Sequence, residues 1–272
     1  MKQLSFFLVA LLITGFSFIS LNENININTT SSIKTEEVSY TVDGITMKGF
    51  VAYDSAYHKK RPAILVVPEW WGLDDYVKSR ARQLAALGYI AMAVDMYGNG
   101  IIAANPAEAT KLATPFYQSP QLGKLRFDAA LDKIKEYKQT DTSKIAAIGY
   151  CFGGGVLLNA VRLGTPLKGV VSFHGNLIGA PADKNLLKAK IFVCQGGADK
   201  FVTPTEVAAF TKQMDSIGAD YTLKVYPNAT HAFTNPDATA IGKKFSLPIE
   251  YNPAADKASW NDMKKFFNKL FM

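Results

Sequence analysis

A chain of 272 residues that is 48% hydrophobic and 19% charged, with only two cysteines, can fill a globular core and lacks the bias of a disordered, collagenous or disulfide-stapled protein. Its net charge of +7 comes from 30 basic and 23 acidic residues mixed along the chain, without a basic stripe interleaved with aromatics, and this argues against a nucleic-acid partner. One α/β domain accounts for the length.

Residues 1–21 open on the basic head Met1-Lys2-Gln3 and continue into an apolar stretch over 4–19, the pattern of a signal peptide or an N-terminal anchor. Export to the periplasm or beyond is the expectation, with membrane contact only if the leader stays uncleaved. The run 22–35, rich in Asn, Thr and Ser, reads as a flexible spacer, which leaves 36–272 for the folded domain. Segments 38–42 and 45–53 flank Asp43-Gly44, a two-residue hairpin signal. Short apolar runs at 63–67, 89–94, 144–148, 168–173, 190–194 and 221–226 then alternate with helical stretches, which predicts a mostly parallel central sheet flanked by helices. Asp74 caps a helix carrying Val77, Ala81, Leu84 and Ala85 on one face, and Gly88 ends it. Residues 105–137 read as helical with breaks at Pro115 and Pro120, and a last helix turns Trp260, Met263, Phe266, Phe267 and Leu270 toward the core.

The run Ile145-Ala146-Ala147-Ile148-Gly149-Tyr150-Cys151-Phe152-Gly153-Gly154-Gly155 passes from an apolar strand through a glycine-flanked cysteine into a helix. That is a nucleophile elbow with cysteine where serine is usual. A thiol attacks as thiolate, so a base and a group orienting the base are expected further on, in the order nucleophile, acid, histidine. Of three histidines, His58 lies in a polar turn too early in the chain, and His174 has no acid between it and Cys151. His231 follows the run 221–226, and Asp199 follows 190–194 in the turn Gln195-Gly196-Gly197-Ala198-Asp199. Cys151, Asp199 and His231 therefore stand at successive strand ends, where catalytic groups of such sheets collect. Cys194 reads as a small buried apolar residue rather than a disulfide partner, and the dispersed Cys and His residues have no metal-ligand spacing.

The elbow, the Gly-Gly-Ala-Asp-Lys turn ending at Lys200, Thr230-His231-Ala232-Phe233 and Pro68-Glu69-Trp70-Trp71-Gly72 together resemble the dienelactone hydrolase family of the α/β-hydrolase fold, over about residue 36 to the C-terminus. The resemblance implies hydrolysis of a small enol-lactone or another carboxylic ester. It also implies a role for Glu69, whose family counterpart keeps the resting cysteine a neutral thiol and takes its proton when substrate binds. One departure stands out: lactone-cleaving members grip a substrate carboxylate with two arginines, one just after the histidine, where this chain has Asn235, a hydrogen-bond donor without charge. Spacing leaves open whether Lys111 or Arg126 supplies the other contact.

The expected chemistry is a Cys-His-Asp triad working through a thioester, with the N–H groups of Phe152 and Trp70 as oxyanion hole and no cofactor. Trp71, Tyr97, Tyr150 and Asn235 are the candidate pocket residues, Trp71 either lining the pocket or packing its loop down. The competing expectation is a non-catalytic or thiol-sensing binding module on the same fold. The oligomeric state is not readable.

Overall fold

The structure is a computed structural model that describes Met1 and residues 32–272; the expected leader after Met1 and residues 22–31 of the expected spacer lie outside the described residues. Among the described residues eight strands, β1 (Ile33–Val42), β2 (Ile45–Asp54), β3 (Arg61–Val67), β4 (Ile90–Ala93), β5 (Thr140–Tyr150), β6 (Gly169–Phe173), β7 (Lys190–Gly196) and β8 (Tyr221–Tyr226), form one sheet in the order β1-β2-β4-β3-β5-β6-β7-β8. β1 and β2 pair antiparallel around Asp43 and Gly44, whose φ angles of +48° and +75° are those of the tight hairpin turn that favours this dipeptide. From β4 onward the neighbours are parallel. β1 begins at Ile33, three residues inside the expected spacer: its partners in β2 extend the ladder to Asp54, and pairing outweighs the polar composition of the segment.

Among the described residues seven helices flank the sheet: α1 (Asp75–Ala86), α2 (Pro106–Gln118), α3 (Pro120–Lys135), α4 (Phe152–Arg162), α5 (Pro204–Ser216), α6 (Ala238–Phe245) and α7 (Pro253–Phe271). Strand alternation divides the core into two layers. Ala63, Leu65 and Val67 of β3 face Phe127, Leu131, Leu157 and Phe210 from α3, α4 and α5, whereas Ile64 and Val66 face Val77, Leu84, Met263 and Phe267 from α1 and α7. Asp74 caps α1 by accepting from Val77 N–H at 3.1 Å. Pro115 does not break its helix as expected. It sits in the last turn of α2, where a missing N–H removes one bond, and the break comes at Ser119 with Pro120 opening α3.

Candidate active site

β5 ends at Tyr150 and α4 begins at Phe152, so Cys151 alone makes the corner, with φ +50° and ψ −115°. Side chains avoid that conformation, and the surroundings enforce it. Cys151 N–H donates to the Phe173 carbonyl at 3.0 Å, while Gly154 and Gly155 N–H return to the Cys151 carbonyl at 3.0 and 3.2 Å. The flanking glycines are a steric requirement: a Cβ on Gly149 would lie 2.3 Å from Gly153 O, and one on Gly153 would lie 2.4 Å from Val67 O. Phe152 is the first residue of α4, so its N–H precedes the first intrahelical bond and faces the same corner.

Two loops bring the expected partners. Asp199, in the turn after β7, accepts from Phe201 and Val202 N–H at 2.8 and 3.1 Å with Oδ1 and meets His231 Nδ1 with Oδ2 at 2.8 Å. The carboxylate is thus both a turn residue and the orienter of the imidazole. With Nδ1 engaged, Nε2 is the ring nitrogen left for the cavity that Cys151 and His231 line together. Burial opposes charge on this ring, but the Cys151 sulfur and the Asp199 carboxylate outweigh it and hold His231 well above the ordinary histidine range.

The loop bearing His231 is braced by segments from much later in the chain. His231 forms a parallel bridge with Ile249, Glu250 N–H donates to Thr230 Oγ1 at 2.8 Å, and Asn252 N–H donates to the Phe233 carbonyl at 3.0 Å. From below, Arg80 donates to the Thr234 carbonyl at 2.7 Å and pairs with Asp256 at 2.5 Å.

On the opposite wall, Glu69 follows β3 and is 3% exposed. Its Oε2 accepts from Asn235 Nδ2 at 2.8 Å, and its Oε1 has no partner among the described residues. Burial and the nearby Asp74 push this carboxyl up to about 7, against the Asn235 hydrogen bond. Trp70 N–H donates to no protein acceptor among the described residues, while Tyr97 OH fixes the Trp70 carbonyl at 2.8 Å.

The cavity between these walls measures about 200 Å³ and is bounded by Trp70, Trp71, Tyr117, Phe201, Leu247 and Ile249 around the Cys151–His231 pair. Trp71 satisfies both expectations, lining the cavity while stacking on Phe245 at 6.0 Å. The other three expected pocket residues lie elsewhere. Tyr150 points to the opposite face of the sheet, fully buried against Tyr76 and Phe173, because strand alternation sends it away from Cys151. Tyr97 packs behind Phe152 with its hydroxyl on Trp70, and Asn235 is buried behind Glu69. Neither Lys111 nor Arg126 reaches the cavity; Arg126 is buried beside Met47. Phe201, Tyr117 and Asn176 escaped the sequence reading, although Phe201 and Asn176 each follow a strand end and so stood where wall residues are sought. Leu247 and Ile249 carried no signal at all.

A parallel sheet of this order with a sharp strand-to-helix corner at its carboxyl edge defines an α/β-hydrolase. The profile of the dienelactone hydrolase family matches residues 47–271, and the chain belongs to that family. A crystal structure described as a dienelactone hydrolase-like promiscuous phosphotriesterase from metagenomic libraries superposes with a TM-score of 0.84 at 32% identity, covering 88% of this chain and 99% of that one. Protein usf of Aquifex pyrophilus is 29% identical over 238 residues, 85% of this chain and 97% of its own. The chain is accordingly a hydrolase of the ester or lactone type.

Proposed function

We propose that this hydrolase cleaves a neutral carboxylic ester through a Cys151-His231-Asp199 triad and a thioester intermediate. The observation that carries the reading is the 2.8 Å bond from Asp199 to His231 Nδ1 beside the elbow cysteine on one cavity. Neutrality of the substrate is supported by the lining, which contains no Lys or Arg among the described residues, and by Asn235, which is spent on Glu69 instead of reaching the cavity.

In this mechanism the Cys151 sulfur attacks the ester carbonyl carbon, and the oxygen takes up the electron pair between the N–H groups of Phe152 and Trp70. His231 Nε2 gives its proton to the departing alkoxide as the carbonyl reforms, leaving a thioester. Water then enters, Nε2 takes one of its protons, and the acid leaves as the C–S bond breaks. Asp199 keeps Nδ1 protonated and the ring aligned throughout. Glu69, which changes protonation near neutrality, is the group that receives the thiol proton as substrate arrives. The basic, apolar leader supports an exported site of action, which cell fractionation checks.

Cys151→Ala is expected to lower turnover of p-nitrophenyl acetate by at least about a thousandfold, with an unchanged melting transition. The parent enzyme should show a covalent acyl adduct on Cys151 by mass spectrometry. Hydrolysis at the parent rate by the variant overturns the reading, and stoichiometric oxidation of Cys151 without acylation would instead mark a thiol sensor.

A further inference from the structure

We infer that a second cavity, which shares the walls Tyr117 and Asn176 with the catalytic one, receives the acyl end of the ester, so that the enzyme acts on extended apolar acyl groups joined to small alcohols. The inference rests on the ester reading above. The catalytic cavity, at about 200 Å³, is smaller than the roughly 300–1,000 Å³ in which drug-sized ligands are mostly enclosed. It has room for the reacting ester and little else. Beside it lies an open cavity of about 620 Å³, and Tyr117 and Asn176 are walls of both.

This second cavity is built rather than incidental. One wall is the segment 176–181 after β6, and its backbone is tied down by the buried Arg162 and Glu206 and by the half-buried Asn159. Arg162 Nη2 donates to the Leu177 carbonyl at 2.9 Å. Glu206 Oε1 accepts from Leu177 and Ile178 N–H at 2.6 and 3.3 Å. Asn159 Oδ1 accepts from Ala180 N–H at 2.8 Å, an approach that only glycine at 179 permits, since a Cβ there would lie 1.9 Å from that oxygen. Arg162 is 2% exposed with no acid paired to it among the described residues, so holding this loop costs a buried charge. On this pinned backbone Ile178 is 64% exposed and lines the cavity together with Tyr117, itself 52% exposed. The remaining polar lining is amide, from Gln121, Asn159 and Asn176, and carries no charge.

Direction follows from the chemistry. The leaving oxygen must face His231, which enters with Phe201 from the loops after β7 and β8. The oxyanion must face Phe152 and Trp70. The remaining substituent of the tetrahedral carbon is the acyl chain, and on this inference it runs toward Tyr117, which is a wall of both cavities and whose ring meets Phe152 at 5.9 Å.

The test compares p-nitrophenyl acetate, butyrate and octanoate with ethyl and hexyl acetate on the parent enzyme and on Ile178→Asp and Gln121→Trp. Burying several methylenes should raise kcat/KM for octanoate over acetate by about tenfold or more, with the two alkyl acetates nearly equal. Both variants should lower the octanoate-to-acetate ratio about tenfold. Because the ratio is taken on one sample, partial loss of folded protein does not imitate the result. A flat acyl profile, a rise with alcohol length, or unchanged ratios in both variants overturns the acyl assignment. Absence of Cys151-dependent hydrolysis of acetate overturns the ester reading and this inference with it.

Discussion

His174 at the end of β6 and His231 beyond β8 are two buried imidazoles whose ring centres lie 5.1 Å apart, yet they are held in opposite states. Burial, reinforced by the positive charge of its neighbour, drives His174 well below the ordinary range; its Nε2 meets the Thr234 hydroxyl at 2.8 Å and its Nδ1 has no partner among the described residues. His231 suffers the same burial and is raised well above that range by Cys151 and Asp199. Desolvation is common to both, so the partners decide: a hydroxyl leaves an imidazole neutral, whereas the Cys151 sulfur and the Asp199 carboxylate together make it hold a proton.

The sharpest way to break this comparison is to give His231 a neutral partner too. Asp199→Asn should lower kcat by about 10³–10⁴-fold in steady-state assays, whereas His174→Gln should lower it by no more than about tenfold. Equal losses would show that the two rings form one unit. Glu69 extends the lesson to a carboxyl whose partner is a neutral amide. Its folded state holds the proton more tightly than the unfolded chain, so the associated stability is fully present below about pH 4.5 and drains away as pH rises through about 7. The drain amounts to about 3 kcal/mol, and Glu69→Gln should flatten it in urea melts recorded from pH 4.5 to 8.5. Smaller again is Thr234→Val, which strands Tyr76 OH and His174 Nε2, both now 2.8 Å from the threonine hydroxyl. It should cost about 1–3 kcal/mol in a denaturant midpoint while leaving His231 close to its parent titration by NMR.

Sequence disclosed the parts of this molecule whose physics is local. The Gly149-to-Gly153 spacing announces a corner that only glycines can flank, Asp43-Gly44 announces its hairpin, and alternation of apolar runs with helical faces announces the sheet. The 2.8 Å pairing of Asp199 with His231 was legible because the order nucleophile, acid, histidine expected along such a sheet constrains where to look. What remained hidden depends on pairing at a distance. Tyr150 looked like a pocket residue because it adjoins Cys151 in sequence, but the strand pleat turns neighbours to opposite faces. Asn235 was legible as an uncharged replacement, whereas its bond to Glu69 joins residues 166 positions apart. Leu247 and Ile249 line the cavity through a loop whose path no periodicity encodes.

The bracing of the His231 loop by Ile249, Glu250, Asn252 and, through Arg80, Asp256 ties reactivity to the order in which the polypeptide is made. The thiol-bearing bend is complete long before the residues that steady its imidazole emerge from the ribosome. A nascent or clipped molecule ending ahead of residue 249 carries the cysteine corner but lacks the Ile249, Glu250 and Asn252 contacts that brace the His231 loop.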